Sequence, residues 1–453
     1  MAQQVAILGR GTSALLTGLV CLRNGHDIEF LYDPDTPILD VGESAAPDIG
    51  SIIYAVLGKS VQEMATDGIV SIKAGAKFVN WGKGKTFHHS IGAQIRPQED
   101  SQICNQIGFH FETKKFNEYI IDLLKKKYWG GRRIHCGFTE YKVHDKSITY
   151  TGDGKSVGIG DDPTHKYNFY DFFDFVIDCR GWHDTKEGEY LKPNLRLPNS
   201  AVLYRENSVD HDFDYTLQTA TEDAWEFGLP FPKSKSGPYT KKGYLFNKDI
   251  SDVDSIKAKI ESKDNVTDVR VKEWTPKISQ KLIQDKFMAY NGNRLFFLDP
   301  LGALSLQYYT HFAQYICDFI TSGHHKRTVQ NAANVNNQYF NDMMEYQDLL
   351  SFHYQHGSSY NTPFWENIIK DSRKQITTLP NGHIDNFLHN LHIDLETKST
   401  SWSTIGAFES SDMLQIYCGM NDITRDEVLK DYVPLRNKYD YLEGTGGNDP
   451  YGD

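Results

Sequence analysis

From Gln4 to Gly25 the chain passes from one hydrophobic pattern to another. Val5 to Leu8 is a continuous apolar run of strand length, Gly9, Gly11, Thr12, Ser13 and Ala14 make a small-residue loop, and Leu15 to Arg23 is apolar at helical spacing until Asn24-Gly25 stops it. Small residues let a backbone bend sharply and approach a pyrophosphate, which then sits on the N–H groups of the helix start, so this order predicts a dinucleotide cradle. The pattern alone does not choose the nucleotide. His26 to Tyr32 alternates as a second strand and ends at Asp33, about where a ribose-binding acid belongs, although Tyr32 holds the position at which that acid is most often found.

Further along, Pro47 opens a helix with Ile52, Ile53, Val56 and Leu57 on one face. Ser71 to Trp81 alternates as one strand, which would set Lys73 and Lys77 on the same face. Phe111 to Lys126 reads as an amphipathic helix, Tyr141 to Phe172 as a β-meander, and Asp174 to Trp182 as a buried strand that returns to the cofactor and ends at Gly181. Strand patterns recur from Tyr215 to Asn247. The apolar strand Leu295 to Leu298 runs into Asp299-Pro300-Leu301-Gly302 and a long helix from Leu304 to Ile320. The chain is helical from Asn334, and the tail after Leu442 is expected to be disordered.

Composition narrows the chemistry. A net charge of -12 lacks the electrostatic footprint of a nucleic-acid binder. The 6 cysteines form no CxxC pair, and the 17 histidines lack the third ligand that metal spacing requires, so no metal site is expected. No apolar run approaches a membrane span and no GxSxG elbow is present, which points to a cytoplasmic protein without acyl-transfer chemistry.

What remains is a cradle, a glycine-ended return strand and an ordered set of short segments. They are LGRGTSA (Leu8 to Ala14), VGES (Val41 to Ser44), IKAGAKFVNW (Ile72 to Trp81), HHSIG (His88 to Gly92) and HFETKKFNEYI (His110 to Ile120). FVIDCRGW (Phe175 to Trp182), WEFGLP (Trp225 to Pro230), FLDPL (Phe297 to Leu301) and HYQHGSSYNTPFW (His353 to Trp365) follow. In this order the segments resemble the flavin-dependent tryptophan halogenase family.

The resemblance implies FAD at Gly9 to Ala14, reduced by a separate flavin reductase, with oxygen and a halide ion yielding hypohalous acid. Lys73 matches the lysine that receives this oxidant beside a small aromatic substrate. Val41, Gly42, Glu43 and Ser44 match the strap between flavin and lysine, and His89 and Ile91 match positions that sandwich the substrate, with Ile91 in place of the typical Phe. Asp299 answers either to the DPL element or to an upstream acid that contacts the flavin ribityl chain. Gly302 stands where the family has a glutamate, while the helix start at Leu304 and Ser305 still offers N–H groups as a halide seat. These departures imply loose substrate selection and a preference for bromide or iodide. A flavin monooxygenase and a flavin-binding protein without turnover are the rival readings.

The implied architecture is α/β, an FAD/NAD(P)-binding three-layer ββα fold with an added substrate sheet and a C-terminal helical module. Residues 1–200 and 275–332 would form the FAD-binding module, 201–274 the substrate-side sheet, 333–442 the helical module and 443–453 a disordered tail. An oligomer is compatible with this plan.

Overall fold

A computed structural model describes residues 2–38, 41–91, 107–128, 136–144, 147–150, 172–181, 188–209, 214–232, 237–378, 404–405 and 408–424. Strand β1 (Gln4–Leu8) leads into helix α1 (Thr12–Arg23) and returns as β2 (Asp27–Tyr32). Next come β3 (Glu43–Ala45), α2 (Pro47–Leu57), α3 (Val61–Thr66), β4 (Val70–Lys73), β5 (Gly75–Trp81) and β6 (Lys85–Ser90). They are followed by β7 (Gly108–Phe111), α4 (Thr113–Tyr128), β8 (Cys136–His144), β9 (Ser147–Tyr150) and β10 (Phe175–Asp178). The middle of the chain supplies β11 (Tyr190–Leu191), β12 (Ser200–Glu206), β13 (Tyr215–Ala220), β14 (Ala224–Phe231), β15 (Tyr239–Phe246), α5 (Val253–Glu261) and β16 (Val266–Glu273). Then follow β17 (Lys277–Ser279), β18 (Met288–Tyr290), β19 (Phe296–Phe297), α6 (Ser305–Thr321), α7 (Val329–Tyr354) and α8 (Pro363–Thr378). A short hairpin of β20 (Thr404–Ile405) and β21 (Phe408–Glu409) leads into α9 (Ser410–Asn421).

The apolar runs at Val5 to Leu8 and Phe175 to Asp178 are fully buried because both are inner strands of a parallel sheet covered on its two faces. The six-stranded order is β18-β10-β1-β2-β8-β9, parallel except for β9. From β1 the chain first moves one way, to β2 and β8, and later returns on the other side as β10. The switch point is therefore the crevice beyond Leu8 and Asp178, where a mixed α/β fold of this kind places its ligand. Helix α1 lies so close to β2 that a Cβ on Gly18 would meet Phe30 Cζ at 2.3 Å.

A seven-stranded sheet, β16-β12-β15-β14-β13-β5-β6, takes β5 and β6 from residues 75–90 and the rest from 200–273. A three-stranded antiparallel sheet, β3-β7-β4, lies between the cradle and this larger sheet.

Ser71 to Trp81 is not a single strand: it breaks at Ala74, whose N–H donates to Asp214 O (2.6 Å) and whose carbonyl accepts from the Ile91 N–H (2.7 Å). Lys73 therefore belongs to the three-stranded sheet and Lys77 to the seven-stranded one, so alternation across the pair does not set a common face. Of the expected meander, β8 and β9 are seen and 151–171 lie outside the described residues, as do Trp182 and the tail.

Candidate functional site

Gly9 has φ +109°, a state that L side chains rarely adopt, and its N–H donates to Leu31 O at 2.7 Å. Gly11 stands at the N-cap of α1 in extended conformation, and no side chain caps the helix. The first N–H groups of α1, at Thr12, Ser13 and Ala14, thus keep their donor capacity at the positive end of the helix dipole. A Cβ on Gly11 or on Gly181 would meet no atom of the described residues within 4 Å, and Gly181 has φ +85°. Arg10 lies 4.4 Å over the Tyr32 ring, with a buried Nε that has no partner among the described residues. An uncapped helix start, an open glycine turn and a cation beside them fit the pyrophosphate of a dinucleotide. Asp33 spends one oxygen on its own turn, accepting from the Asp35 N–H at 2.9 Å.

The strap is fastened to this cradle. Gly42 has φ +73° and is covered by the Lys241 side chain, whose Cδ would be 2.9 Å from a Cβ there, and Val41 lines an open polar cleft of about 460 Å³. Glu43 Oε1 accepts from the hydroxyls of Thr12 (2.8 Å) and Thr113 (3.2 Å), and Asn117 Oδ1 lies 3.2 Å from the same Thr12 hydroxyl. From Glu43 and Ala45 the sheet leads through β7 to Lys73, which is paired with Gly108.

Lys73 is 5% exposed and has neither an ion pair nor a hydrogen bond among the described residues. Burial alone pushes its ammonium down to about 8. Gly108 explains how the side chain is accommodated: a Cβ there would come within 3.3 Å of Lys73 Cδ and 2.8 Å of Ala45 O. The lysine stem therefore lies across the missing side chain of its cross-strand partner.

On the far side of Ala74 the chain returns with the residues expected to meet an aromatic ring. Ile91 bonds the carbonyl of Ala74, immediately after Lys73, and His89 is paired with Ala76 across β5 and β6. His89 is buried, its Nε2 is 2.9 Å from Asp412 Oδ1 on α9, and its ring lies 5.3 Å from that of Phe408.

The expected halide loop packs on β3. Leu304 is the N-cap of α6 with no side-chain cap, so the amides at Leu304 and Ser305 stand at the uncapped start of a long helix. Gly302 has φ +73°, so a glutamate there would be strained as well as absent. Asp299 does not present a free carboxylate: Oδ1 accepts from the Leu301 N–H and Oδ2 from the Tyr354 hydroxyl, each at 2.8 Å.

Several participants carry no sequence signal of their own role. Asn117, Thr113 and His110 sit inside the HFETKKFNEYI segment, but their contacts, to Thr12, Glu43 and Thr216, depend on elements far away in the chain. Phe408, buried between His89 and the loop at Gly302, has no signal at all. Among the described residues no helix is long and apolar enough to cross a membrane, and no cluster of metal-ligating side chains is found.

The family model described as tryptophan halogenase matches residues 4–127 and 97–430. The chain is 29% identical over 106 residues to tryptophan 7-halogenase RebH of Lentzea aerocolonigenes and 31% identical over 106 residues to tryptophan 6-halogenase ThaL of Streptomyces albogriseolus. Each match spans about a fifth of the curated relative's own length (20%), and 20% and 19% of this chain respectively. Among solved structures, a tryptophan halogenase from Shewanella frigidimarina superposes with a TM-score of 0.69 at 15% identity, covering 98% of this chain and 95% of that one. BrvH, a flavin-dependent halogenase from Brevundimonas sp., gives 0.66 at 16% identity, covering 99% and 97%.

Proposed function

The chain belongs to the tryptophan halogenase family, and from that premise we propose that it is a flavin-dependent halogenase of electron-rich aromatic rings. The observation that carries the reading is Lys73: a buried lysine without an ion pair among the described residues, two strands from a glutamate that is bonded to the cradle helix. The first amides of α1, Gly9, Gly11, Arg10 and Gly181 would hold FAD. FAD, once bound and reduced by a separate reductase, would supply two electrons to oxygen while the halide gives up two more, which yields hypohalous acid and water. Glu43, held by Thr12 and Thr113, keeps the strap closed against the cradle and away from bulk water. Lys73 donates an N–H to the oxidant, or as a neutral amine takes its halogen from oxygen with water as the leaving group, which a partly desolvated nitrogen does more readily than an ordinary lysine. His89 and Ile91 border the ring.

Because Gly302 offers no carboxylate and Ile91 no aromatic face, we expect loose ring selection and preferential use of bromide or iodide, which are easier to oxidise than chloride. The test supplies the protein with a flavin reductase, NADH, FAD, equal concentrations of the three halides and a panel of indoles and phenols, and identifies products by mass spectrometry. Chloride outcompeting iodide would remove the halide preference, and hydroxylated product formed without halide would favour a monooxygenase.

Gly108 gives a second prediction. Gly108→Ala places a methyl group 3.3 Å from Lys73 Cδ and 2.8 Å from the backbone oxygen of Ala45, so the lysine stem and the β3 backbone must both shift, whereas Gly9 to Ala14 are not among its contacts. Product formation should fall by about tenfold or more, since a misplacement of an ångström at a reacting centre is enough. FAD affinity, followed by fluorescence, should stay within about twofold of the parent on the additivity expected of separated sites. Equal loss of both would show that the substitution unfolds the sheet.

A further inference from the structure

The three-stranded sheet has two faces of opposite character. Phe109 and Phe111 of β7, with Ala45 and Val70 beside them, point into the core. On the other face the ladder aligns Ser44 with His110 and Lys73 with Gly108, so Ser44, His110 and Lys73 project to the same side. All three are nine-tenths or more buried: His110 is 0% exposed, Lys73 5% and Ser44 6%. Their polar atoms are not spent on one another. Among the described residues Ser44 Oγ, His110 Nδ1 and Lys73 Nζ have no hydrogen-bond partner, whereas His110 Nε2 is fixed 2.8 Å from Thr216 Oγ1 on the facing sheet.

Buried polar atoms are almost always satisfied, and a small region carrying several that are not is built to receive something polar. The groups are complementary to a molecule with one O–H donor and one oxygen acceptor. We infer that Ser44 and His110 complete, with Lys73, a three-point site for the small neutral oxyacid, in which Lys73 and the Ser44 hydroxyl donate to its oxygen and His110 Nδ1 accepts its O–H. His110 would then donate its Nε2–H to Thr216, and the halogen end is left to face the ring beside His89 and Ile91. No bond is made or broken in this step; His110 orients the oxidant. Burial, and secondarily the charge of Lys73, hold the imidazole neutral, as an acceptor at Nδ1 requires. The inference rests on the halogenase reading and adds to it the residues that turn the oxidant.

Two measurements separate its failure from the failure of that reading. The first is nitrogen-15 NMR of histidine-labelled, flavin-free protein, with the His110 signal assigned by its loss in His110→Asn. The expected state is the neutral imidazole with the proton on Nε2, and a proton on Nδ1 overturns the proposal whether or not the protein halogenates. The second is coupling, the halogenated product formed per reduced flavin consumed, with escaping oxidant captured by a small thioether. His110→Leu should lower coupling by about tenfold and raise captured oxidant, at an unchanged rate of flavin oxidation, as expected for loss of an interaction used after the oxidant is made. His110→Asn, whose amide oxygen falls near the place of Nδ1, should recover most of that coupling. Undiminished coupling in His110→Leu, or an equal loss in both variants, overturns the proposal. If His110→Leu does not fold, His110→Asn against Thr216→Val decides, since an anchoring role for the ring predicts the larger loss in the latter. Absence of product from the parent protein with every ring and halide removes the halogenase reading and leaves the tautomer to be judged by NMR.

Discussion

Lys73→Met should reduce halogenation by on the order of 100-fold or more, the scale seen when one preorganised donor is removed from an active site, while making the protein more stable. The loss follows because no other cation among the described residues is seen on the polar face that Lys73 shares with Ser44 and His110. The gain follows from the ammonium itself, which is buried and has no countercharge there. Its pKa of about 8 in the folded chain lies below the 10.5 of an ordinary lysine. Between these values the unfolded chain binds more protons, so stability rises as pH climbs through the window and is lowest below it. At neutral pH the buried charge costs about 3 kcal/mol, from the depression of its pKa. Methionine fills a similar volume without charge. Thermal melts should therefore show Lys73→Met ahead of the parent at pH 7 and level with it near pH 10.5. Product assays should include catalase, so that peroxide released by reoxidised flavin does not halogenate in solution. Undiminished product with catalase present would end the role of Lys73, and a melting gap that does not change with pH would end its assignment as an unpaired buried cation.

The cradle was legible from the sequence because every part of it is local: an apolar run, a glycine turn and a helix within one stretch from Gln4 to Gly25. The same holds for the α/β fold, which follows from strands and helices whose patterns do not overlap. The strand from Ser71 to Trp81 misled because alternation continues across Ala74, and only the distant Asp214 and Ile91 decide that the chain changes sheets there. The polar face was hidden for a related reason. Ser44, Lys73 and His110 lie in separate segments, and nothing in any one of them gives the register that aligns them. His89 was visible as a candidate, but its partner Asp412 is 323 residues away and Phe408 lies in a short hairpin without a motif. Gly302 was legible as a missing carboxylate; its φ of +73° adds that the backbone there holds a conformation that favours glycine.

Asp299 carries the other large effect. It is fully buried, and its carboxylate joins the loop before α6 to the C-terminal turn of α7 through Leu301 N–H and Tyr354 OH, while Tyr346 OH bonds its carbonyl at 3.0 Å. Asp299→Leu strands two buried donors and should cost on the order of 3 kcal/mol or more, read as a fall in denaturant midpoint. Asp299→Asn keeps an oxygen for the amide and should fold. Their pH dependence differs. Burial, opposed by the two hydrogen bonds, raises the carboxyl to about 7 from the ordinary 3.8, so the folded chain binds the extra proton in between. That contribution is complete below 3.8 and lost as pH rises through 7, a change of about 4 kcal/mol by linkage. Lys73 acts in the opposite sense and in a higher window, from about 8 to 10.5. The two together place a minimum of stability between about pH 7 and 8, where both groups are charged inside the protein. Lys73→Met should lift the floor of that minimum and remove the alkaline-side slope, Asp299→Asn should remove the acid-side slope, and the double variant should lose the minimum. A parent protein whose melting temperature is flat from pH 4 to pH 10, after correction with the double variant, would mean that neither charge is buried as described. A minimum that survives in the double variant would assign it to other groups.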